Sequence, residues 1–450
     1  MTLSKGTLKV KGECHSSTWL KTKWFSGLKN YKFSEFGMAL DRIADANNVL
    51  IVKSAGNSTK FLHGGKTERI SQMADSVRAL VVGSVAEERG PYDLAEVDMP
   101  SPFSRTGPGP EYIVKPDLTA YGGNAGICNG NITLTGVPTI NENGVFSRSA
   151  GTSFSTPWVA RIAAELAYFM DGEFDPLLIK ALMVHHATYP KGCRLGMEDR
   201  SKFMGFGMPS GTRDVLYNSE NEITLILRDS LEKGKFINIL DFPFPKSLVG
   251  EDGFFRGQIV VTVVGKPLLK STEGPEYCQS DIHVAFGTMD GVKLRDTSKP
   301  TVRNEYGPEG NKNIMNADLY SRGTFDLLEG DSFDRERTLI RYGQKYYPVK
   351  KYAVDLEEMT KGNRTKYLRK DRKWYLKVTG LFRDEVEREA ARTGEILQQD
   401  FCIMITIRDP EGTVPVYNEV TQQLHAENFV NAGIRLRNEV HELVIVEEKE

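Results

Sequence analysis

Long hydrophobic runs are missing from this sequence of 450 residues. A helix that spans a membrane needs about 20 consecutive, mostly apolar residues, so we expect no membrane-spanning segment and no membrane partner. The first residues, MTLSKGTLKVKGECHSS, also lack the apolar core of a secretory signal peptide. The sequence therefore predicts a cytoplasmic protein.

Cysteine is scarce as well. The five cysteines are odd in number and widely scattered, at Cys14, Cys128, Cys193, Cys278 and Cys402. This scatter matches neither a disulfide framework nor the close spacing of metal ligands, so we expect reduced thiols. The residues themselves predict no cofactor and no metal site.

Neither sign of charge is in excess, since 58 Lys and Arg face 60 Asp and Glu for a net charge of −2. A chain of this kind has no general attraction to nucleic acid. One local exception is the basic run KGNRTKYLRKDRKWYLK at 361–377, which carries Tyr367, Trp374 and Tyr375. Basic residues among aromatics can bind nucleic acid, but a solvated loop before a strand is the favoured interpretation.

The first half of the chain alternates helical and strand-like patterns. Ser34 can cap a helix, and VLIV at 49–52 and VRALVVGSV at 77–85 are typical of buried strands. VARIAAELAYFM at 159–170 and the segment after Pro176 predict apolar helices. The apolar face of the first helix would consist of Phe36, Ala39, Leu40, Ile43 and Ala44. This order indicates an α/β fold with a parallel sheet.

From about Asn221 the pattern changes to short strand-like runs separated by turn-forming residues, which favours an antiparallel β-sandwich. One helix at 384–399 interrupts the predicted strands. We therefore expect an α/β domain at 1–218 and a β-rich domain at 219–450.

The stretch GTSFSTPWVA at 151–160 leads directly into a predicted helix. Two interpretations of Ser153 remain open on the residues alone. It can cap the helix, a role that Thr152 or Ser155 could fill equally well. It can also be a nucleophile, because the first turn of a helix offers free backbone N–H groups and a positive dipole end.

Several stretches together carry a family resemblance. They are SAGN at 54–57, SPFSRTGPG at 101–109, KPDLTAYGG at 115–123, GTSFSTPWVA at 151–160, PLLIKALMVHHA at 176–187 and GFGMPSGTRDVL at 205–216. In order and spacing they resemble the subtilases, the subtilisin-like serine peptidases, over about residues 33–218. The resemblance implies part of the family's three-layer domain, a polypeptide substrate and, in many members, a structural calcium ion.

The resemblance also implies roles for individual residues. Ser153 would be the nucleophile, and its backbone N–H would form an oxyanion hole with the side chain of Asn57. The segment Ser54, Ala55 and Gly56 would present backbone groups to an extended substrate peptide. The implied function is that of a serine endopeptidase, which forms an acyl-enzyme.

Subtilases carry their catalytic aspartate and histidine before the asparagine loop. The residues before Asn57 include His15, Asp41 and Asp45, and none of these lies in the family's motifs. His63 follows the loop instead, so it is a weak candidate for the base. We expect a truncated or split peptidase with little activity alone, whose base and aspartate come from outside this chain; in the split form a second polypeptide supplies them. A peptide-binding pseudo-peptidase without catalysis is the alternative.

Overall fold

The computed structural model describes residues 32–64, 68–140, 142–170, 174–290, 312–320, 346–426 and 434–436. By its contacts the chain forms two compact units. The first comprises the described residues up to Val215 together with Lys270–Tyr277, and the second comprises the other described residues from Leu216 onwards. The predicted ranges 1–218 and 219–450 stay a prediction, because parts of both lie outside the described residues.

The first unit contains a parallel sheet, as predicted. Its strands are β1 (Val52–Ser54), β2 (Leu80–Val85), β3 (Leu118–Tyr121), β4 (Asn124–Cys128), β5 (Asn131–Thr135), β6 (Val137–Ile140) and β7 (Phe146–Ser149), and its helices are α1 (Glu35–Asn47), α2 (Thr152–Phe169), α3 (Pro176–His185) and α4 (Met197–Met204). A short helix, α5 (Thr212–Leu216), ends this part of the chain. Strands β1, β2 and β3 pair in parallel, while β4–β5 and β6–β7 form two antiparallel hairpins.

Every residue of the central strand β2 is buried, as its β-branched sequence predicts. Helix α2 packs against all three strands of the sheet. The prediction of a buried strand at 49–52 is wrong, because β1 begins only at Val52 and is partly exposed. Asn48 takes a left-handed conformation and ends α1, so the chain is still turning at Val49.

Helix α1 begins as predicted, with the Ser34 hydroxyl accepting a hydrogen bond from the backbone N–H of Gly37 at 3.0 Å. Its predicted apolar face is only partly buried, since Phe36 and Ile43 are 53% and 50% exposed. The helix instead turns Asp41 inward. The Asp41 carboxylate accepts hydrogen bonds from the Ser76 hydroxyl and from the backbone N–H groups of residues 77 and 78, at 2.5, 3.2 and 2.8 Å.

The second unit consists of antiparallel sheets. Its strands are β8 (Glu222–Glu232), β9 (Phe236–Leu240), β10 (Gln258–Lys266), β11 (Ser280–Met289), β12 (Lys312–Asn313), β13 (Val349–Asp355), β14 (Lys373–Phe382), β15 (Gln398–Arg408) and β16 (Ile434–Leu436), and its helices are α6 (Lys361–Tyr367), α7 (Asp384–Thr393) and α8 (Val416–Ala426). One sheet has the order β13-β10-β15-β8-β16 and the other β12-β11-β14-β9. Strands β10 and β15 of the first sheet contact β11 of the second.

The predicted helix at 384–399 is too long. Helix α7 ends at Thr393, where Gly394 takes a left-handed conformation with φ 75° and closes the last turn. The following residues enter β15 at Gln398. Within the described part of the chain, no helix is both long and apolar enough to cross a membrane.

A buried group of charges lies at the amino ends of β2 and β3 in the first unit. The Asp117 carboxylate lies 2.5 Å from the Lys115 ammonium and 3.7 Å from that of Lys180, and all three side chains are at most 5% exposed. Lys180 Nζ also donates to the carbonyl groups of residues 77, 78 and 79, at 3.0–3.3 Å. Burial lowers the pKa of Lys180 to about 8.

This lowered pKa predicts a rise of stability with pH. Between about pH 8 and pH 10 the folded state releases the Lys180 proton while the unfolded state keeps it, so the unfolded state binds more protons. Urea unfolding across this window should show the free energy of unfolding rising by about 2 kcal/mol more in the unaltered chain than in Lys180→Met. Lys202→Met, which removes a partly buried lysine of α4 that pairs with Glu198, should keep the slope. A slope equal in all three chains would contradict the assignment.

Candidate active site

The amino end of α2 is built around Gly151. Its φ and ψ of 153° and 158° lie in a region that only glycine adopts without strain. A Cβ at this position would lie 3.1 Å from Nδ2 of Asn57, so a glycine also lets the asparagine side chain approach the helix start. The backbone N–H of Gly151 donates to the Gly122 carbonyl at 2.8 Å, which ties the helix start to the end of β3.

Asn57 reaches the same helix start from the loop after β1. Its Oδ1 accepts hydrogen bonds from the backbone N–H and the hydroxyl of Thr152, at 2.9 and 3.0 Å. This use of the oxygen leaves Nδ2 free to donate, and no described residue accepts from it. Asn57 is exposed, so this donor is open to a bound molecule.

Ser153 is the second residue of α2 and is exposed. Its hydroxyl forms no hydrogen bond with any described residue, whereas Ser155 and Thr156 both donate to the Thr152 carbonyl, at 3.0 and 2.6 Å. In the structure, Asn57 caps the first turn in place of Ser153. Because the second N–H of a helix has no partner within the helix, the Ser153 backbone N–H is also free to donate.

The three residues before Asn57 are Ser54, which ends β1, and the two residues that follow it. Ala55 is fully buried, and its carbonyl accepts hydrogen bonds from the backbone N–H and hydroxyl of Ser71, at 3.1 and 3.2 Å. The Gly56 carbonyl accepts from the N–H of Arg105 at 3.1 Å, and the Ser54 carbonyl accepts from Lys53 Nζ at 2.8 Å. The carbonyl groups of the predicted substrate-binding segment therefore already have partners within the unit. The Gly56 N–H has none among the described residues.

Arg105 holds the asparagine loop from the other side. Its Nε donates to the Asn57 carbonyl at 3.2 Å, its Nη1 to the Arg69 carbonyl at 3.0 Å, and its Nη2 lies 2.8 Å from Glu68. Lys60 lies 3.1 Å from the same carboxylate, and its hydrogen bond helps to hold the pKa of Glu68 below the usual range. Arg105 lies in the quoted stretch SPFSRTGPG, but nothing in the sequence indicated these contacts.

The acids and bases considered from the sequence are not assembled around Ser153. Asp41 is occupied by the bonds described above, and Asp45 pairs with Arg78 at 2.8 Å. His63 is exposed at the end of a short 3₁₀-helix. His15 lies outside the described residues. The described part of the chain thus brings together Ser153, Asn57 and Thr152, but no base with them.

Several cations of the basic run at 361–377 are paired with carboxylates. Arg364 pairs with Asp252 at 3.0 Å, and Lys373 pairs with Asp241 at 2.7 Å. Arg372 is largely buried and pairs with Asp290. Such pairing weakens any attraction to phosphate groups. Across the described ranges, no group of three or more His, Cys, Asp or Glu side chains is arranged to hold a metal ion.

Comparison with known proteins agrees with the geometry of the first unit. Residues 13–207 match the Subtilase family. This match covers less than half of the chain and includes Asn57, Ser153 and the strands between them. It supports a resemblance to subtilase serine proteases in this region.

The individual proteins similar to this chain share less than 30% of its sequence. "Uncharacterized protein y4bN" of Sinorhizobium fredii is 28% identical over 281 residues, which are 54% of this chain and 64% of that protein. The chain thus spans less than two thirds of this relative. The structure of the Patellamide maturation protease PatA is 21% identical with a TM-score of 0.28, covering 39% of this chain and 52% of that one. The Epidermin leader peptide processing serine protease (EpiP) from Staphylococcus aureus is 18% identical with a TM-score of 0.28, covering 40% and 43%.

Proposed function

We propose that this chain carries the nucleophile and the oxyanion hole of a subtilisin-like serine endopeptidase that acts on polypeptides. The observation that supports this most is the contact of Asn57 with Thr152, because it directs a free amide donor toward the exposed turn that carries Ser153. The other donor would be the Ser153 backbone N–H. Both lie at the positive end of α2, where negative charge is stabilised.

The proposed reaction uses these groups in sequence. The Ser153 Oγ attacks a peptide carbonyl carbon and its proton passes to a base, while the carbonyl oxygen gains negative charge and accepts hydrogen bonds from the two donors. The intermediate then collapses as the C–N bond breaks, and the leaving amine takes the proton from the base. Attack by water on the resulting acyl-enzyme releases the second product and restores the serine.

In this proposal the base and its orienting carboxylate come from a polypeptide outside this chain. The chain alone would then have little activity, because a serine without a base is a poor nucleophile. The absence of any described hydrogen-bond partner for the Ser153 hydroxyl also favours a second candidate, a peptide-binding pseudo-peptidase. The two differ in whether Ser153 becomes reactive once a base is supplied.

A fluorophosphonate probe with added imidazole tests this difference. Imidazole in solution can take the Ser153 proton, the oxyanion donors stabilise the charged phosphoryl oxygen, and fluoride leaves. We expect intact-mass analysis to show slow labelling without imidazole and at least about tenfold faster labelling with it, since general-base catalysis contributes about 10²–10⁴ in a positioned site.

The site of labelling is checked with two variants. Ser153→Ala should abolish the imidazole-dependent labelling, while Ser201→Ala, which removes a hydroxyl of α4, should leave it unchanged. Folded protein that stays unlabelled at high imidazole would contradict the proposed chemistry and favour peptide binding alone.

A further inference from the structure

Arg105 connects two segments of the first unit, the loop of Asn57 and the stretch at 68–69. On one side it meets the loop of Asn57, where its backbone N–H binds the Gly56 carbonyl and its Nε binds the Asn57 carbonyl. On the other side its terminal nitrogens bind the Arg69 carbonyl and the Glu68 carboxylate. Each of the three guanidinium nitrogens thus has its own acceptor, which suits the rigid fork of arginine.

The packing around Gly56 keeps the Arg105 side chain in this place. Gly56 has φ 100°, and a Cβ on it would lie 2.9 Å from Cδ of Arg105 and 2.9 Å from Oγ of Ser71. Arg105 therefore occupies the space that a side chain at position 56 would fill. The stem of the arginine has little freedom, so its hydrogen bond to Asn57 costs little additional ordering.

Asn57 is consequently held at two points. Thr152 fixes the oxygen of its side chain, and Arg105 fixes its backbone carbonyl. With both points fixed, the direction of the Nδ2 donor is set before any substrate binds. Such preorganisation is the main source of oxyanion stabilisation, and a displacement of about 1 Å can cost about 10² in rate.

We propose that Arg105 is a positioning residue for the Asn57 oxyanion donor, an inference that rests on the proposed function. Glu68 serves as its anchor, since the carboxylate holds the far end of the guanidinium. Lysine at this position keeps the charge but lacks the planar fork that reaches all three acceptors. The inference therefore predicts that lysine cannot fully replace Arg105, whereas a purely electrostatic role would predict that it can.

Imidazole-assisted labelling of Ser153 tests the inference through two separate constants. In Arg105→Met, which keeps the stem against Gly56, we expect the maximal labelling rate to fall about tenfold while the half-saturating probe concentration stays the same. Arg105→Lys should recover only part of the rate. Arg161→Met is the matched control, because it removes an exposed arginine of α2 that pairs with Glu165, and it should label like the unaltered chain.

A second measurement tests the contact between Arg105 and Asn57 without the labelling reaction. In chain labelled with ¹⁵N-asparagine, assigned through Asn57→Asp, the side-chain amide signals of Asn57 should shift and broaden in Arg105→Met and stay in place in Arg161→Met. Labelling and amide signals that are unchanged in Arg105→Met would overturn the inference. If the unaltered chain does not label at all, the proposed function fails, and the amide signals alone then decide whether Arg105 positions Asn57.

Discussion

Asn57→Asp should lower the imidazole-assisted labelling rate of Ser153 by about 10²–10³, the loss that follows removal of one oxyanion donor from a serine peptidase. Aspartate keeps an oxygen for the Thr152 N–H and so preserves the capped start of α2. It replaces the Nδ2 donor by a second oxygen, which repels the developing negative charge. The substitution therefore separates the donor function of Asn57 from its structural function.

Asn47→Asp provides the matched control, since it makes the same chemical change at an exposed residue at the end of α1. This variant should label at the rate of the unaltered chain. Thermal unfolding should show that both variants remain folded at the assay temperature. Equal labelling of Asn57→Asp and the unaltered chain would remove Asn57 from the oxyanion hole.

The largest effect on stability is expected at Asp117. Asp117→Ala would leave the ammonium groups of Lys115 and Lys180 buried without their carboxylate, and would leave the backbone N–H of Val81 without its acceptor at 2.8 Å. Breaking a buried ion pair from one side costs about 3–5 kcal/mol. Urea unfolding at neutral pH should show a loss of this size in the free energy of unfolding.

The control is Glu198→Ala in α4, which removes an exposed carboxylate from its pair with Lys202. Exposed pairs contribute about 0–1 kcal/mol, so this variant should unfold close to the unaltered chain. A loss below about 1 kcal/mol in Asp117→Ala would mean that the buried lysines find other partners or become neutral at little cost.

The sequence predicted elements whose pattern was dictated by burial. The apolar run in β2 and the helix after Pro176 follow from hydrophobic periodicity and capping, and the antiparallel sheets follow from short runs between turns. Errors arose where local signals competed. VLIV contains strong strand formers, yet the turn at Asn48 delays β1 to Val52, and Gly394 ends α7 before the predicted helix is complete.

The contacts within the candidate site could not be predicted from the sequence, for a different reason. The motif indicated Ser153 and Asn57 as candidates, but their surroundings depend on how distant segments meet. The bonds from Thr152 to Asn57 and from Arg105 to Asn57 join parts of the chain that no local pattern relates. For the same reason the sequence did not show that Asp41 turns into the core.

The bond between Asn57 and Thr152 spans 95 positions of the chain. Contacts of such long sequence separation form late in folding, because the loop-closure entropy must be overcome by the strands and hairpins between them. Until then Ser153 is an ordinary alcohol, with no fixed donors beside it. On the proposed function, the imidazole-assisted reactivity of Ser153 would therefore report that the first unit has folded to completion.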